Sequence, residues 1–422
     1  MIGTLMPGTS GRRQVHATAA SSPKRKLQDT LTATTPPVPE STRHIAFVVN
    51  NYLPNVGGVE FHVAALAKHL AALGIRVTVF ALDNNTPSEP FANPKVVRLK
   101  CSPAVGGVLA WPWPGTTSKI RRELTERHVT AISTHTRFFP MSMIGVRLAR
   151  RLGIPSLHTE HGSAAVRGVS PLVAMASNMI DKTMGRIVLR GATEVLCISE
   201  GSKEFVKELA GVTGQVFHNA IDTGSFYKKP SQETAVSDRP EQRRKLVYVG
   251  RIVPGKGWDV ALSTAETLAS DYPDIQLHLV GDGSDMATLE ARAATSILGD
   301  RLVIHGRQET DRIADLLRGS VFLNPTTLSE GFQTTLLEAV AAGAAIVSTP
   351  IGAARYLLDS GADIRLAPVD DSHAWNAHVR KALNAPVVQP ARELVESFDW
   401  NQRAVEYLKI TESCTQAAHS PK

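Results

Sequence analysis

No run of apolar residues in the chain approaches the roughly 20 that cross a bilayer as a helix. Cysteine is scarce: Cys101, Cys197 and Cys414 are odd in number, far apart and without a C-x-x-C spacing. That argues against a disulfide framework or a zinc site and for a reducing compartment. The N-terminal stretch lacks the apolar segment of a secretory signal. Glycines near position 57 do not form G-x-G-x-x-G, and the acid expected about 20 residues on is missing, which counts against a dinucleotide-dependent oxidoreductase. Asp282-Gly-Ser-Asp285 and Asp370-Asp371 are the nearest approach to an Asp-x-Asp, and nothing suggests octahedral oxygen ligation of a metal.

What the chain has is length enough for two domains: 422 residues, 43% hydrophobic and 20% charged, the composition of a soluble globular protein. Net charge is +7, with clusters at Lys119, Arg121, Arg122 and Arg127 and at Arg147, Arg150 and Arg151. Such clusters meet anionic lipid, nucleic acid or a phosphorylated acceptor, or simply keep a protein soluble. Residues 1–43, rich in Ser, Thr, Pro and Ala, read as a disordered extension.

From His44 strands and helices alternate. Ile45–Val49 reads as a buried strand, Asn50–Gly58 as a loop, and Val59–Leu73 as a helix stopped by Gly74. Strands follow at Ile75–Ala81, Val129–Ser133, Ile154–His158 and Glu194–Ile198. A second series starts at Lys245 with strands at Lys245–Gly250, Ile275–Gly281, Leu302–Gly306 and Val321–Asn324. This alternation predicts parallel sheets with ligand loops at the strand C-ends. Residues 225–244, polar and proline-containing, read as a linker between a domain at 44–224 and one at 245–395.

Three constellations carry chemistry. Glu330-Gly-Phe-Gln-Thr-Thr-Leu-Leu-Glu338 spans a loop and the start of a helix, whose free N–H groups suit an anion, with a carboxylate at each end for hydroxyls. Two solvated glutamates would fit the same pattern. Gly57-Gly58 after the first strand lets backbone approach a phosphate, or is a plain turn. Arg251 and Lys256, in a Gly/Pro loop at a strand C-end, are placed to grip a diphosphate, unless they are merely solvated.

Glu330 to Glu338, with Ala341-Ala-Gly-Ala-Ala-Ile-Val-Ser-Thr after it, resembles the Glu-x7-Glu signature of retaining GT-B glycosyltransferases of family 4, the group 1 type. His218-Asn-Ala-Ile-Asp222 with Phe226 resembles their hinge segment, and Phe398–Leu408 the C-terminal helix that crosses back to the first domain. The resemblance spans His44 to about Ile410, and departs from the family at Gln333, Ala345 and Ala220. It implies an α/β fold of GT-B architecture, two Rossmann-like doubly wound domains facing a cleft, with residues 396–412 as the crossing helix and 413–422 as a tail.

The resemblance also assigns roles. Arg251, Lys256, Glu330 and His135 are the catalytic candidates. Gly57, Gly58, Gly331, Phe332, Gln333, Thr334, Thr335, Glu338 and Arg307 are the donor-binding ones. His161, Glu160 and Arg137 stand on the acceptor side, with His161 second to His135 as the functional histidine. The expected reaction moves a hexose from GDP-mannose or a UDP-sugar to a lipid-linked or saccharide acceptor, with no metal or other cofactor. No nucleic acid partner is expected. An anionic membrane surface is a further partner, met by Trp111 and Trp113 unless those rings pack against the sheet. The expected location is cytoplasmic, at the inner face of the plasma membrane where peripheral. The alternatives are a non-catalytic sugar-nucleotide-binding protein and, behind it, a nucleotide-dependent oxidoreductase.

Overall fold

In both halves of the chain alternate strand residues pack into different apolar clusters, one on each face of the sheet. In the first strand, β1 (His44–Val49), every side chain is buried. Ile45, Phe47 and Val49 join one apolar cluster, Ala46 and Val48 another, so the strand is covered on both faces. Six more strands follow in this half: β2 (Arg76–Leu82), β3 (Lys95–Leu99), β4 (Ala131–His135), β5 (Ser156–Glu160), β6 (Glu194–Cys197) and β7 (Gln215–Val216). The second half supplies β8 (Lys245–Val249), β9 (Gln276–Val280), β10 (Leu302–Gly306), β11 (Val321–Asn324), β12 (Ala345–Ser348) and β13 (Ile364–Leu366).

The computed structural model describes residues 43–55, 57–88, 92–105, 109–164, 171–227, 244–328, 331–386 and 392–419. The N-terminal extension before Arg43, most of the linker, the last three residues of the tail and the candidate Glu330 lie outside the described residues.

The first sheet has the order β3-β2-β1-β4-β5-β6-β7, the second β10-β9-β8-β11-β12-β13. All pairings within them are parallel. In each sheet the winding direction reverses once, between β1 and β4 and between β8 and β11. A crevice opens at the C-ends of the strands at such a point. The two reversals therefore fix where ligand loops gather: after β1 and β4 in one domain, after β8 and β11 in the other.

The sequence pattern predicts no strand at β3, β7, β12 or β13. β7 has two residues and β13 three, too few to show a period. Ala345–Ser348 follows an alanine-rich helix, and a turn at Gly343, with φ 69°, separates the two.

The last helix, Trp400–His419, buries Trp400, Ala404 and Tyr407 in the cluster that contains Phe47 and Leu66 of the first domain. Their spacing of four and three residues makes one helical stripe. The chain's end is thus part of the core of its beginning.

Candidate active site

At the second reversal three loops are tied together. Ile252 N donates to Asp282 O at 2.9 Å and Asp285 N to Ile252 O at 2.9 Å. Thr327 N donates to Gly255 O at 2.8 Å. Gly257 has φ +85°, and a Cβ there would overlap the Pro325 carbonyl, so two independent constraints demand glycine. This loop carries Arg251, exposed, and Lys256, half-buried. Arg307 is exposed at the end of β10, two strands away from β8 at the sheet edge.

Gly331 to Thr335 lead into the helix Thr334–Ala341, whose N-cap Gln333 makes no capping hydrogen bond from its side chain. Gln333 Oε1 instead accepts from Asn324 Nδ2 at 2.8 Å, which fixes the loop to the end of β11. The first-turn N–H groups of Thr334 and Thr335 therefore lack a side-chain cap from Gln333. Phe332 does not face a ligand with its ring: the ring is buried among His218, Tyr356 and Phe398. One and a half turns further on, Glu338 is half-buried, and burial raises its pKa to about 7. Among the described residues no hydrogen bond donor or cation offsets that burial.

Across the cleft, Gly57 is extended at φ −169° ahead of the helix Gly58–Ala72, with Gly57 half-buried and Gly58 exposed. His135, fully buried at the end of β4, and His161, half-buried just after β5, are hydrogen-bonded from Nδ1 to Nε2 at 3.1 Å. A Cβ at Gly331 would crowd the His161 carbonyl and overlap Ile198, so the donor-side loop lies directly against the His161 segment. A third ring that no sequence signal marked, His62, joins them, its centroid 4.8 Å from that of His161. His62 points inward at 3% exposure while its neighbour Phe61 points outward at 55%, the reverse of what hydropathy suggests. All three histidines are held neutral. Burial lowers His62 to about 4, and burial together with its histidine neighbours takes His135 and His161 well below the ordinary value.

Arg137 and Glu160 require a correction. The sequence places them on the acceptor side, whereas the structure locks both inside. Arg137 Nε and Nη2 donate to the Asp181 carboxylate at 3.0 and 2.8 Å, and Nη1 donates to Glu160 Oε1 at 2.9 Å. Burial alone would raise Glu160, but the Arg137 guanidinium, His158 and the Gly162 N–H outweigh it and hold the carboxyl at about 2. Arg137 and Glu160 thus form an internal ion network that orders the loop after β5. Asp181, 44 positions along, has no sequence pattern that announces it as their partner.

The imidazoles of His62, His135 and His161 have ligand atoms within 4.8 Å of one another. Zinc holds imidazole nitrogens at about 2.0–2.1 Å, so a tetrahedral ion needs them roughly 3.4 Å apart. The His135–His161 pair stands at 3.1 Å, and both nitrogens of His135 are already hydrogen-bonded, to Ser133 and to His161.

The profile of Glycosyltransferase Family 4 matches residues 56–225, and that of Glycosyl transferases group 1 matches residues 231–403. The chain belongs to the group 1, family 4 glycosyltransferases. Phosphatidyl-myo-inositol mannosyltransferase of Mycolicibacterium smegmatis is 26% identical to this transferase over 372 residues, 86% of this chain and 91% of the relative. The GPI3 subunit from the phosphatidylinositol N-acetylglucosaminyltransferase of Saccharomyces cerevisiae is 25% identical over 318 residues, 73% of this chain and 68% of the relative. Among solved structures, sucrose-phosphate synthase of Thermosynechococcus elongatus superposes with a TM-score of 0.68 at 20% identity, covering 89% of this chain and all (100%) of that one. Anabaena HepE, solved with UDP, gives 0.67 at 18% identity over 88% and 100%. The transferase has the GT-B fold of these structures. Among its described residues no helix is long and apolar enough to cross a membrane.

Proposed function

We propose that the transferase moves a hexose from a UDP- or GDP-sugar to a lipid-linked acceptor with a polyol head group, with retention at the anomeric carbon and without a metal. One observation carries the reading. The loop holding Arg251 and Lys256 is hydrogen-bonded, through Gly255, to Thr327 of the segment that leads to Gly331 and the helix at Thr334. Two cations and a helix N-terminus without a side-chain cap therefore share one strand-end crevice, a setting suited to a diphosphate leaving group.

In this reading Arg251 and Lys256 take up the charge that develops as the sugar–phosphate bond breaks, and Glu338 accepts from ribose hydroxyls. Glu330 orients the donor sugar. The acceptor hydroxyl attacks from the face that the diphosphate leaves, and its proton passes to the departing phosphate oxygen. A covalent glycosyl-enzyme would need a free carboxylate at the anomeric carbon. Glu160, the acid next to His161, is bound by Arg137 and the Gly162 N–H instead. Two relatives support the lipid acceptor, a phosphatidyl-myo-inositol mannosyltransferase and a subunit of a phosphatidylinositol N-acetylglucosaminyltransferase. HepE, solved with UDP, supports the nucleotide class.

The test is the anomeric configuration of the product, read by NMR, from an α-linked donor in buffer containing EDTA. An α-linked product is expected. A β-linked product overturns retention, and turnover abolished by EDTA overturns metal independence.

A further inference from the structure

A chain of hydrogen bonds runs from the C-terminal helix to the cleft. Tyr407, fully buried on the helix Trp400–His419, donates its phenol O–H to Ser133 Oγ at 2.7 Å. Ser133 Oγ contacts His135 Nε2 at 3.0 Å, and His135 Nδ1 contacts His161 Nε2 at 3.1 Å. Ser133 and His135 are both at 0% exposure, so solvent does not complete their valences.

Counting protons gives this relay one direction. Burial pushes the Tyr407 phenol well above its ordinary range, so it keeps its proton and donates it to Ser133. The serine hydroxyl has a single proton of its own. If His135 donated to Ser133, that proton would have no acceptor among the described residues, and an orphaned buried O–H is expensive. Ser133 must therefore donate to His135 Nε2. A neutral imidazole carries one N–H, so that of His135 is on Nδ1 and points to His161 Nε2. His161 in turn carries its proton on Nδ1, which has no hydrogen bond among the described residues and belongs to a half-buried ring beside Gly331.

We infer that Tyr407 and Ser133 are positioning residues that fix the tautomers of His135 and His161, so that His161 meets its ligand in the cleft as a hydrogen-bond donor and not as a base. His62, His158 and Glu160 are the other titratable groups facing these rings. His62 and His158 favour the neutral form of His161 and Glu160 opposes it, after burial has set the direction. The kinetic part of this inference rests on the transferase reading of the cleft; the tautomer part does not.

The experiment uses the full chain labelled with ¹⁵N-histidine and two-bond ¹H–¹⁵N spectra, which distinguish Nδ1–H from Nε2–H imidazoles. In the wild type both His135 and His161 are expected as Nδ1–H. Ser133→Ala removes the donor to His135, and both rings are expected to show mixed tautomers. Its kcat for glycosyl transfer should fall roughly tenfold while KM for the sugar nucleotide changes little. Tyr407→Phe keeps the serine hydroxyl and the buried ring, and a smaller change in the same direction is expected. An Nε2–H tautomer at either histidine of the wild type overturns the inference, and this outcome needs no variant to fold. Unchanged tautomers in Ser133→Ala overturn it equally. The stated tautomers in a protein that transfers no sugar would leave the relay standing and remove the transferase reading.

Discussion

Asn219 holds the donor-side loop to the first domain by donating from its side-chain amide to the Phe332 carbonyl at 2.8 Å. The carbonyl can only accept, so Nδ2 must face it. Oδ1 then accepts from His62 Nδ1 at 3.0 Å and leaves His62 Nε2 as a bare, buried lone pair. Asn219→Ala unpairs both groups at once. The expected loss is about 1–3 kcal/mol in urea unfolding, the scale of leaving buried polar groups unsatisfied. Unfolding indistinguishable from wild type would show that the link contributes nothing.

Glu338 gives a prediction with a definite sign. Folded, its carboxyl titrates near 7 because burial disfavours the charge, whereas an unfolded glutamate titrates near 4.3. The unfolded chain therefore releases this proton first, and stability falls as pH rises from about 4.3 to 7 and is level above. Glu338→Gln abolishes the charge. Its Tm, without ligand, should exceed that of wild type at pH 8 and match it near pH 4, while its affinity for the sugar nucleotide falls. An equal Tm difference at both pH values would contradict an uncompensated buried carboxylate.

Trp111 and Trp113 stand 48% and 55% exposed, which settles their packing in favour of the surface. They are not on a loose loop. Ser102 N donates to Trp111 O at 2.9 Å and Trp113 N to Lys100 O at 3.1 Å, and residues two apart on such a ladder share a face. Lys119, Arg121 and Arg122 are exposed on the next helix. Co-sedimentation with vesicles containing anionic lipid is expected at low salt and weakened at high salt. It should fall several-fold in Trp111→Ala/Trp113→Ala. Binding that is insensitive to both salt and the double substitution would exclude this surface as the contact.

The sequence made the cleft legible where chemistry requires a residue type at a strand end. The loop at Arg251 and Lys256 follows β8, and Gly331 to Glu338 follow β11, because strand and helix periods leave no other place for them. It was silent where a role depends on which way a side chain turns. His62 and Phe61 are adjacent on one helix, and only packing against Trp400 and Phe217 decides that the histidine goes inward. Arg137 and Glu160 read as cleft residues because both follow strands. Their partner Asp181, on a π-helical turn at Asp181–Gly185, is what buries them. Tyr407 and Ser133 are separated by 274 positions, and no local pattern pairs them.

Release of the leaving diphosphate tests most directly whether Arg251 and Lys256 grip it. Purified wild type is offered a panel of UDP- and GDP-sugars in EDTA, with phosphatidylinositol vesicles as acceptor, and free UDP or GDP is measured over time. One nucleotide class is expected to be cleaved. Arg251→Ala and Lys256→Ala should each lower kcat by roughly 10²-fold, with unfolding near wild type because Arg251 is exposed and Lys256 half-buried in a loop. Wild-type turnover in both variants would contradict the account.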